Sequence, residues 1–507
     1  MKDELKSMKD NKVWDLVELP EGIRPIGCKW VFKTKRDSKG NIERYKARLV
    51  AKGFTQREGI DFKETFSPVS KKDSFRIIMA LVAHMDLELH QMDVKTAFLN
   101  GDLMENVYML QPEGFKAKGS EHLVCKLKKS IYGLKQASRQ WYLKFHEVVS
   151  SYGFIENTAD ECIYVKISGS KFIILVLYVD DILLASSDIG LLRETKKFLS
   201  QNFEMKDLGD ASFVIGIQIS RDRSRGLLGL SQRAYIDRVL ERFGMQGCAP
   251  GQAPIVKGDK FGQFQCPKND LEKDKMKAIP YASAVGSIMY AQVCTRPDIA
   301  FVVGMLGRYL SNPGMNHWIA VKKVLRYLQR TKDFELTYRR SDHLELVGYT
   351  DADFAGCLDS KKSTSGYVFM MVGGAVSWKS VKQSITASST MEAEYVACHE
   401  ATNQAVWLQS FFSGLRVVQM IPKPLKIYCD SSAAVNFSNN NKHSSRSKHI
   451  DIKYLVVKER VQNRQVSVEL IGTRQMIADP LTKGLPITLF KEHVTSMGVV
   501  DPKDVFQ

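Results

Sequence analysis

No stretch of this sequence reaches the roughly 18 consecutive apolar residues that a membrane-spanning helix requires. The longest apolar run, which begins at Phe172, is interrupted by Asp180, so no membrane partner is expected. The first residues, Met1-Lys2-Asp3-Glu4, are polar and offer no secretory leader. Cysteine is scattered: nine residues, an odd total, with no Cys-x-x-Cys pair. That pattern excludes a structural zinc knuckle and suits a reducing, intracellular compartment. There is no low-complexity tract and no internal repeat of about 20–50 residues. Acidic residues are in short supply, 56 against 73 Lys and Arg, leaving a net charge of +17. Such an excess suits a polyanion, nucleic acid before membrane. What is present is a chain of 507 residues at 44% apolar composition. It is too long for one core and too apolar for disorder, so about two to four domains are expected.

The densest chemical signal is Tyr178-Val179-Asp180-Asp181. Apolar runs flank it, Phe172 to Leu177 before and Ile182 to Ala185 after, and both are short and β-branched. Two strands joined there would lift two carboxylates from a hydrophobic floor. Adjacent like charges at such a place call for a positive partner, and a pair of divalent ions is the usual one in phosphoryl transfer. The plainer reading is a turn with exposed aspartates. Leu89 to Val94 reads as a strand carrying Asp93, the third acid that an ion pair would need. Phe98, five residues on, could stack beneath a sugar and clash with a 2′-hydroxyl, or belong to the core. Gln136 follows a glycine turn and could touch a nucleotide, or lie on the surface.

Upstream, Trp30 to Phe32 and Arg48 to Ala51 read as strands around a turn at 38–41. From Lys29 to Lys52 there are nine Lys and Arg against Asp37 and Glu43. This hairpin reads either as a phosphate cradle or as a solvated charged face. Lys46 and Arg48 share one strand face, within reach of one triphosphate. Ser74 to Leu87 has helical periodicity in Phe75, Ile78, Met79 and Val82. Val214 to Ile219 reads as a strand with a central Gly216. Residues 246–280, broken by Pro250, Pro254 and Pro267, read as a linker or exposed loop. Between His317 and Thr331 an apolar stripe opposes Lys322, Lys323, Arg326 and Arg330. That helix is either ordinarily amphipathic or a grip on a duplex backbone, with His317 and Trp318 as packing residues.

Six ordered blocks, from Trp30-Val31-Phe32-Lys33 through Tyr45 to Phe54, Glu64 to Val69, Gln91 to Gly101 and Tyr132 to Ala137 to the Tyr178–Asp181 stretch, resemble the reverse transcriptase of copia-type LTR retrotransposons. The resemblance covers about residues 13–220. It implies a right-hand polymerase in which Asp93 and Asp180 ligate both Mg²⁺ ions and Asp181 assists. It also places Lys46 and Arg48 at the incoming triphosphate, Gln136 at nucleotide or template, and Phe98 at the 2′-position as a steric gate.

A second ordered set of acids follows: Asp351 after a strand, Glu394 on a long helix from Thr390 to Leu415, Asp430 after a strand, and Asp479 near a late helix start. Ser389 and Glu392 are spaced as a capping box for that helix. The motifs Tyr349 to Asp353, Ser389 to Tyr395, Ile427 to Ser431 and Ala478 to Lys483 resemble the ribonuclease H domain of the same elements. The implied metal-binding quartet is Asp351, Glu394, Asp430 and Asp479. Glu394 is preferred to Glu392 because the pattern places the acid before an apolar residue and Ala. Relatives in retroviruses and cells carry a histidine before the last Asp, whereas Ile471 to Gln475 has none. The Lys448-His449-Ile450-Asp451 block is also family-like, although Leu455 stands where a His is usual.

The resemblance therefore implies an α/β and α+β multidomain chain. Fingers and palm would span 1–220, a thumb or connection 221–335 with the exposed linker near 246–280, and a ribonuclease H-like α/β domain 336–507. The implied enzyme is an RNA-directed DNA polymerase and RNA–DNA hybrid ribonuclease, with two Mg²⁺ per active site and Mn²⁺ as the alternative ion. Its implied partners are an RNA template, a DNA primer, the RNA/DNA hybrid and dNTPs, with self-association or other Pol products besides. Its expected setting is a cytoplasmic virus-like particle and the nucleus, within a DNA integration pathway. With no protease signature, integrase region or zinc knuckle, the chain reads as the C-terminal part of a Pol polyprotein or a truncated copy. Rival readings are another palm-type transferase, namely an RNA-dependent RNA polymerase or nucleotide cyclase, and a transposon-derived remnant that binds RNA/DNA hybrids without turnover. Phe98 and the distal acids argue against the first.

Overall fold

A computed structural model of the chain describes residues 1–36, 41–116, 119–417, 423–440 and 452–505. The turn residues 38–40 and the 448–451 block lie outside the described residues. The chain forms two compact units, Met1–Ser70 with Leu89–Asp210, and Lys71–Glu88 with Ala211–Gln507. In chain order the first helices are α1 (Lys2–Asp10), α2 (Lys72–Met85), α3 (Ala137–Ser151) and α4 (Ile189–Asn202). Of these, α2 belongs to the second unit.

In the first unit, β1 (Cys28–Arg36) and β2 (Ile42–Ala51) form an antiparallel hairpin with Val31 opposite Arg48 and Lys33 opposite Lys46. A six-stranded sheet runs in the order Met205–Asp210, β3 (Glu88–Val94), β5 (Asp181–Ser186), β4 (Lys171–Tyr178), Asp160–Ser168, Ile155–Asn157. The side chains from Ile173 to Leu177 and from Ile182 to Leu184 are buried, as uninterrupted aliphatic strands at a sheet centre require. Trp141 and Phe145 of α3, with Leu192 and Leu199 of α4, complete that core against Met92 and Val94. Helix α4 starts where the Asp188 side chain accepts the Leu191 N–H at 2.8 Å.

In the second unit a mixed sheet has the order β8 (Gly374–Lys382), β7 (Thr364–Met371), β6 (Leu346–Ala352), β9 (Leu425–Cys429), β10 (Val466–Leu470). Strand β6 runs antiparallel to β7 and parallel to β9, and β9 runs parallel to β10. Helix α5 (Thr390–Leu415) packs on β6, β7 and β9, and α6 (Ile487–Ser496) packs against the turn Asp479–Leu481 and the strand Val499–Val500. A separate five-stranded sheet joins Phe213–Val214, Ile217–Asp222, Leu227–Ser231, Glu335–Arg339 and Val499–Val500. Among the described residues no helix is long and apolar enough to cross a membrane.

Three sequence expectations change here. The expected fingers-and-palm span of 1–220 includes the helix within 74–87, but that helix packs against β8 and the strand Glu335–Arg339 and folds with the second unit. Val214 to Ile219 is not one strand: Ile215 at φ 47° and Gly216 at φ 78° make a tight turn between two. Residues 246–280 are not merely exposed, since Ala253, Ile255 and Met276 are buried. The helix Met315–Arg330 fastens this segment: Lys323 pairs with Asp259, Arg326 Nε donates to the Ala249 carbonyl at 2.8 Å, and the Gln329 amide donates to that of Gln246 at 2.9 Å. Two of the cations read as a duplex grip are thus engaged internally. His317 is fully buried, stacked on Tyr309, with Nδ1 accepting the Gly314 N–H at 3.0 Å.

Two candidate carboxylate sites

In the first unit Tyr178 pairs with Asp181, so Val179 and Asp180 form a two-residue hairpin turn. Val179 sits at φ 61°, a left-handed conformation that costs a β-branched residue on the order of 1–3 kcal/mol. Its neighbours hold it there. Trp141 Nε1 of α3 donates to the Val179 carbonyl at 2.6 Å, and the Val94 N–H of β3 donates to the Asp180 carbonyl at 2.9 Å. The second bond fixes the turn beside the strand that carries Asp93. On β3, Gln91 and Asp93 are two residues apart and share a face. Gln91 Nε2 donates to Asp181 at 3.0 Å. Burial raises the pKa of Asp181, the Gln91 hydrogen bond opposes that, and the charges of Asp180 and Asp93 add to it. The three acids therefore lie within one another's field. Among the described residues, however, the groups of three or more metal-ligating side chains whose ligand atoms lie within 4.8 Å of one another are both in the second unit.

The loop after Ile131 brings basic β2 to this turn. The Ala51 N–H donates to the Tyr132 carbonyl at 2.7 Å, and Gly133, at φ 92°, lies so close that a Cβ would sit 2.2 Å from the Ala51 oxygen. Tyr132 consequently faces β2, with the Arg48 guanidinium 4.8 Å from its ring centroid. Burial raises the Tyr132 pKa, Arg48 lowers it, and Glu4, Asp180 and Asp93 raise it. Phe98 meets the Tyr132 ring edge-on at 5.1 Å. Arg48 and Phe98 thus pack on one phenol that also feels the charges of Asp93 and Asp180. Burial raises the pKa of Glu4 on α1, and the charges of Lys46 and Arg48 lower it. Sequence reasoning missed Glu4, since one acid in a polar helix carries no signal.

Gln136 departs from its expectation. It is fully buried, its Oε1 accepts from Gln56 at 3.0 Å, and its Nε2 donates to the Asp61 carbonyl at 3.0 Å. Its amide is spent on fastening the 56–61 loop and is not presented to a nucleotide.

In the second unit, Asp351 lies near the end of β6, Asp430 directly follows β9, Glu394 occupies the second turn of α5, and Asp479 opens a single helical turn. Carboxylate oxygens of Asp351, Asp430 and Asp479 lie within 4.8 Å of one another. Glu394, Cys429 Sγ and Asp430 form an adjoining group on the same criterion. Glu392 instead turns back to its helix start, accepting from the Ser388 N–H at 2.7 Å and hydroxyl at 2.6 Å, while Ser389 Oγ accepts the Glu392 N–H at 3.2 Å. That leaves Glu394 as the acid on this helix which faces the cluster.

Lys483 Nζ stands 3.3 Å from Asp351 and 3.0 Å from Asp479, and Thr482 Oγ1 donates to Asp351. Burial pushes Glu394 up to about 10, helped by Asp351, Cys429 and Asp430. Burial and Asp351 push Asp479 up to about 7, against Lys483. Burial would release the Lys483 proton, but Asp351 and Asp479 outweigh it and raise its pKa. One ammonium thus partly offsets four crowded carboxyls. The carboxylate oxygens are donors of the kind Mg²⁺ and Mn²⁺ take, so the set fits such ions. Lys483, four residues after Asp479, was legible as an i,i+4 pair but was not singled out. His493 of α6 is buried, with no hydrogen-bond partner at Nε2, on a helix that packs against the Asp479 turn.

Residues 11–257 match the reverse transcriptase (RNA-dependent DNA polymerase) family. A retrovirus-related Pol polyprotein from transposon TNT 1-94 of Nicotiana tabacum is 49% identical over 492 residues, 97% of this chain and 37% of that protein. A transposon Ty5-1 protein of Saccharomyces cerevisiae is 32% identical over 311 residues, 61% of this chain and 98% of that protein. A foamy viral protease-reverse transcriptase solved with double-stranded DNA aligns over 96% of this chain and 71% of that one, at a TM-score of 0.23 and 10% identity, too slight a likeness to bear on the fold. The chain spans about a third of the length of the Pol polyproteins it matches.

Proposed function

Because the chain belongs to the reverse transcriptases of retrovirus-related Pol polyproteins from copia-type transposons, we propose that its first carboxylate site makes DNA on an RNA template and its second cuts the RNA of the resulting hybrid. Residues 1–220 would serve as fingers and palm, 221–335 as thumb or connection, and 336–507 as a ribonuclease H-like domain.

In this reading Asp93, Asp180 and Asp181 hold one pair of Mg²⁺ or Mn²⁺ ions, and Asp351, Glu394, Asp430 and Asp479 hold another. When bound, such ions activate the attacking oxygen and neutralise charge on the leaving oxygen of an in-line phosphoryl displacement. The protein's own groups do the rest. Gln91 orients Asp181, and Tyr132 holds Arg48 toward the acids. Lys46 and Arg48 take the triphosphate. Phe98, braced by Tyr132, crowds the 2′-position. Gln136 acts indirectly, by fixing the 56–61 loop. In the second site Lys483 keeps Asp351 and Asp479 together until a stronger cation arrives. Hybrid recognition would rest on backbone and 2′-hydroxyl contacts.

The observation that carries the synthetic half is the bond from the Val94 N–H to the Asp180 carbonyl, which puts acids from two distant parts of the chain side by side. The second half rests on Asp351, Asp430 and Asp479, whose oxygens converge from three separate elements.

The test is primer extension on an RNA template with dNTPs and Mg²⁺, run beside cleavage of a labelled RNA/DNA hybrid. Asp180→Asn should abolish extension and spare cleavage, and Asp351→Asn should do the reverse. Survival of both activities in both variants would refute the assignments. Salt-sensitive hybrid binding by a wild-type chain that neither extends nor cleaves would instead favour the non-catalytic remnant.

A further inference from the structure

The second site contains a donor that phosphoryl transfer does not require. Cys429, the last residue of β9, is fully buried, and its Sγ lies 3.9 Å from Glu394 Oε2. The sulfur acts as a polar group, because the Ser431 N–H also donates to it at 3.5 Å. Its ligand atom, one from Glu394 and one from Asp430 all lie within 4.8 Å of one another. A second sulfur is at hand: Cys398 lies one turn after Glu394 on the same face of α5, near enough to raise the pKa of Cys429. The floor of the site is therefore thiol and carboxyl, whereas its other side, Asp351 and Asp479, is all oxygen.

These two donor sets prefer different ions. Oxygen-only ligands suit Mg²⁺ and Mn²⁺, and thiolate draws Zn²⁺ and Cd²⁺. With Zn–S near 2.3 Å and Zn–O near 2.1 Å, tetrahedral coordination puts sulfur and oxygen about 3.6 Å apart. The Cys429 to Glu394 separation of 3.9 Å needs only a small closure to reach that value. Asp430 is half-buried, so an ion can enter from its side.

We propose that Glu394, Cys429 and Asp430 form a binding site for a thiophilic divalent cation, and that its occupation withdraws Glu394 and Asp430 from the hard-ion site and silences hybrid cleavage. On binding, the Cys429 S–H and Glu394 O–H bonds break, metal–sulfur and metal–oxygen bonds form, and two protons leave to solvent with no change of oxidation state. The regulatory half rests on the cleavage reading above; the binding half does not.

The experiment titrates Cd²⁺ into the full chain and follows the ultraviolet thiolate-to-cadmium band. In parallel it measures hybrid cleavage at fixed Mg²⁺. Wild type should bind one more equivalent with this band than Cys429→Ser. Cleavage by Cys429→Ser should need at least about tenfold more Cd²⁺ for half-inhibition, relative to its own uninhibited rate. Asp430→Asn, at a half-exposed position that should fold whatever Cys429→Ser does, should also lose the band. A band unchanged in both variants would overturn the site. Loss of the band with no change in Cd²⁺ sensitivity would overturn its control of cleavage. Loss of the band in the variants of a chain whose wild type never cleaves hybrid would uphold the cation site and remove the cleavage reading alone.

Discussion

Glu394 and Asp479 hold their protons more tightly in the fold than an unfolded carboxyl would, near about 4. Folding then takes up protons, so the stability these groups contribute is complete at low pH. Its loss begins as pH rises past about 4 and is complete by about 7 for Asp479 and about 10 for Glu394. In a chelator, the melting temperature of the second unit should fall across that interval. Glu394→Gln should flatten the fall, and added Mg²⁺ should blunt it in wild type; a flat chelated wild-type profile would contradict the crowding of these acids. The residues themselves were legible, because each acid sits in an ordered motif at the end or start of an element. Gln136 was not. Its amide is satisfied by Gln56 and the Asp61 carbonyl, partners far away in sequence. Periodicity cannot report such a pairing, and a Gln after a glycine turn looks free.

Elements were read best where a local cap fixes them. The helix Thr390–Leu415 has its expected bounds, with Ser389 capping its start. Elements were read worst where tertiary partners decide. The polar 246–280 segment is fastened by the helix Met315–Arg330 through contacts that no local pattern encodes. Helix α2 hides a similar surprise. Arg76, in the middle of an apolar stripe, is almost fully buried. Its Nε donates to the Val376 carbonyl at 2.8 Å, its Nη1 to those of Val293 at 2.6 Å and Cys294 at 3.1 Å, and it pairs with Asp73. The guanidinium lies 3.7 Å over the Trp378 ring. Arg76→Ala should destabilise the second unit by about 3–5 kcal/mol in denaturant unfolding. Arg76→Lys should recover little, because an ammonium lacks the planar fork that serves three carbonyls. Wild-type-like unfolding of Arg76→Ala would show that these bonds are dispensable.

For the molecule as a whole, the charge of +17 should make the nucleic-acid binding proposed above steeply salt-dependent. A plot of log K against log salt should correspond to about five or more neutralised phosphates. Not every cation should count. Lys33 is exposed on the β1–β2 hairpin, and Lys33→Ala should lower the slope by about one. Lys323 is tied to Asp259, and Lys323→Ala should change stability while leaving the slope alone. Equal slopes for wild type and Lys33→Ala would remove the hairpin from the binding face.

The chain leaves its first unit to lay down α2, returns to finish that unit, and only later builds β8 against the helix. On a ribosome this order leaves Phe75, Ile78, Met79 and Val82 without their eventual neighbours while most of the polypeptide is still being made. A nascent chain arrested midway would therefore present a sticky amphipathic segment and be a natural client for chaperones.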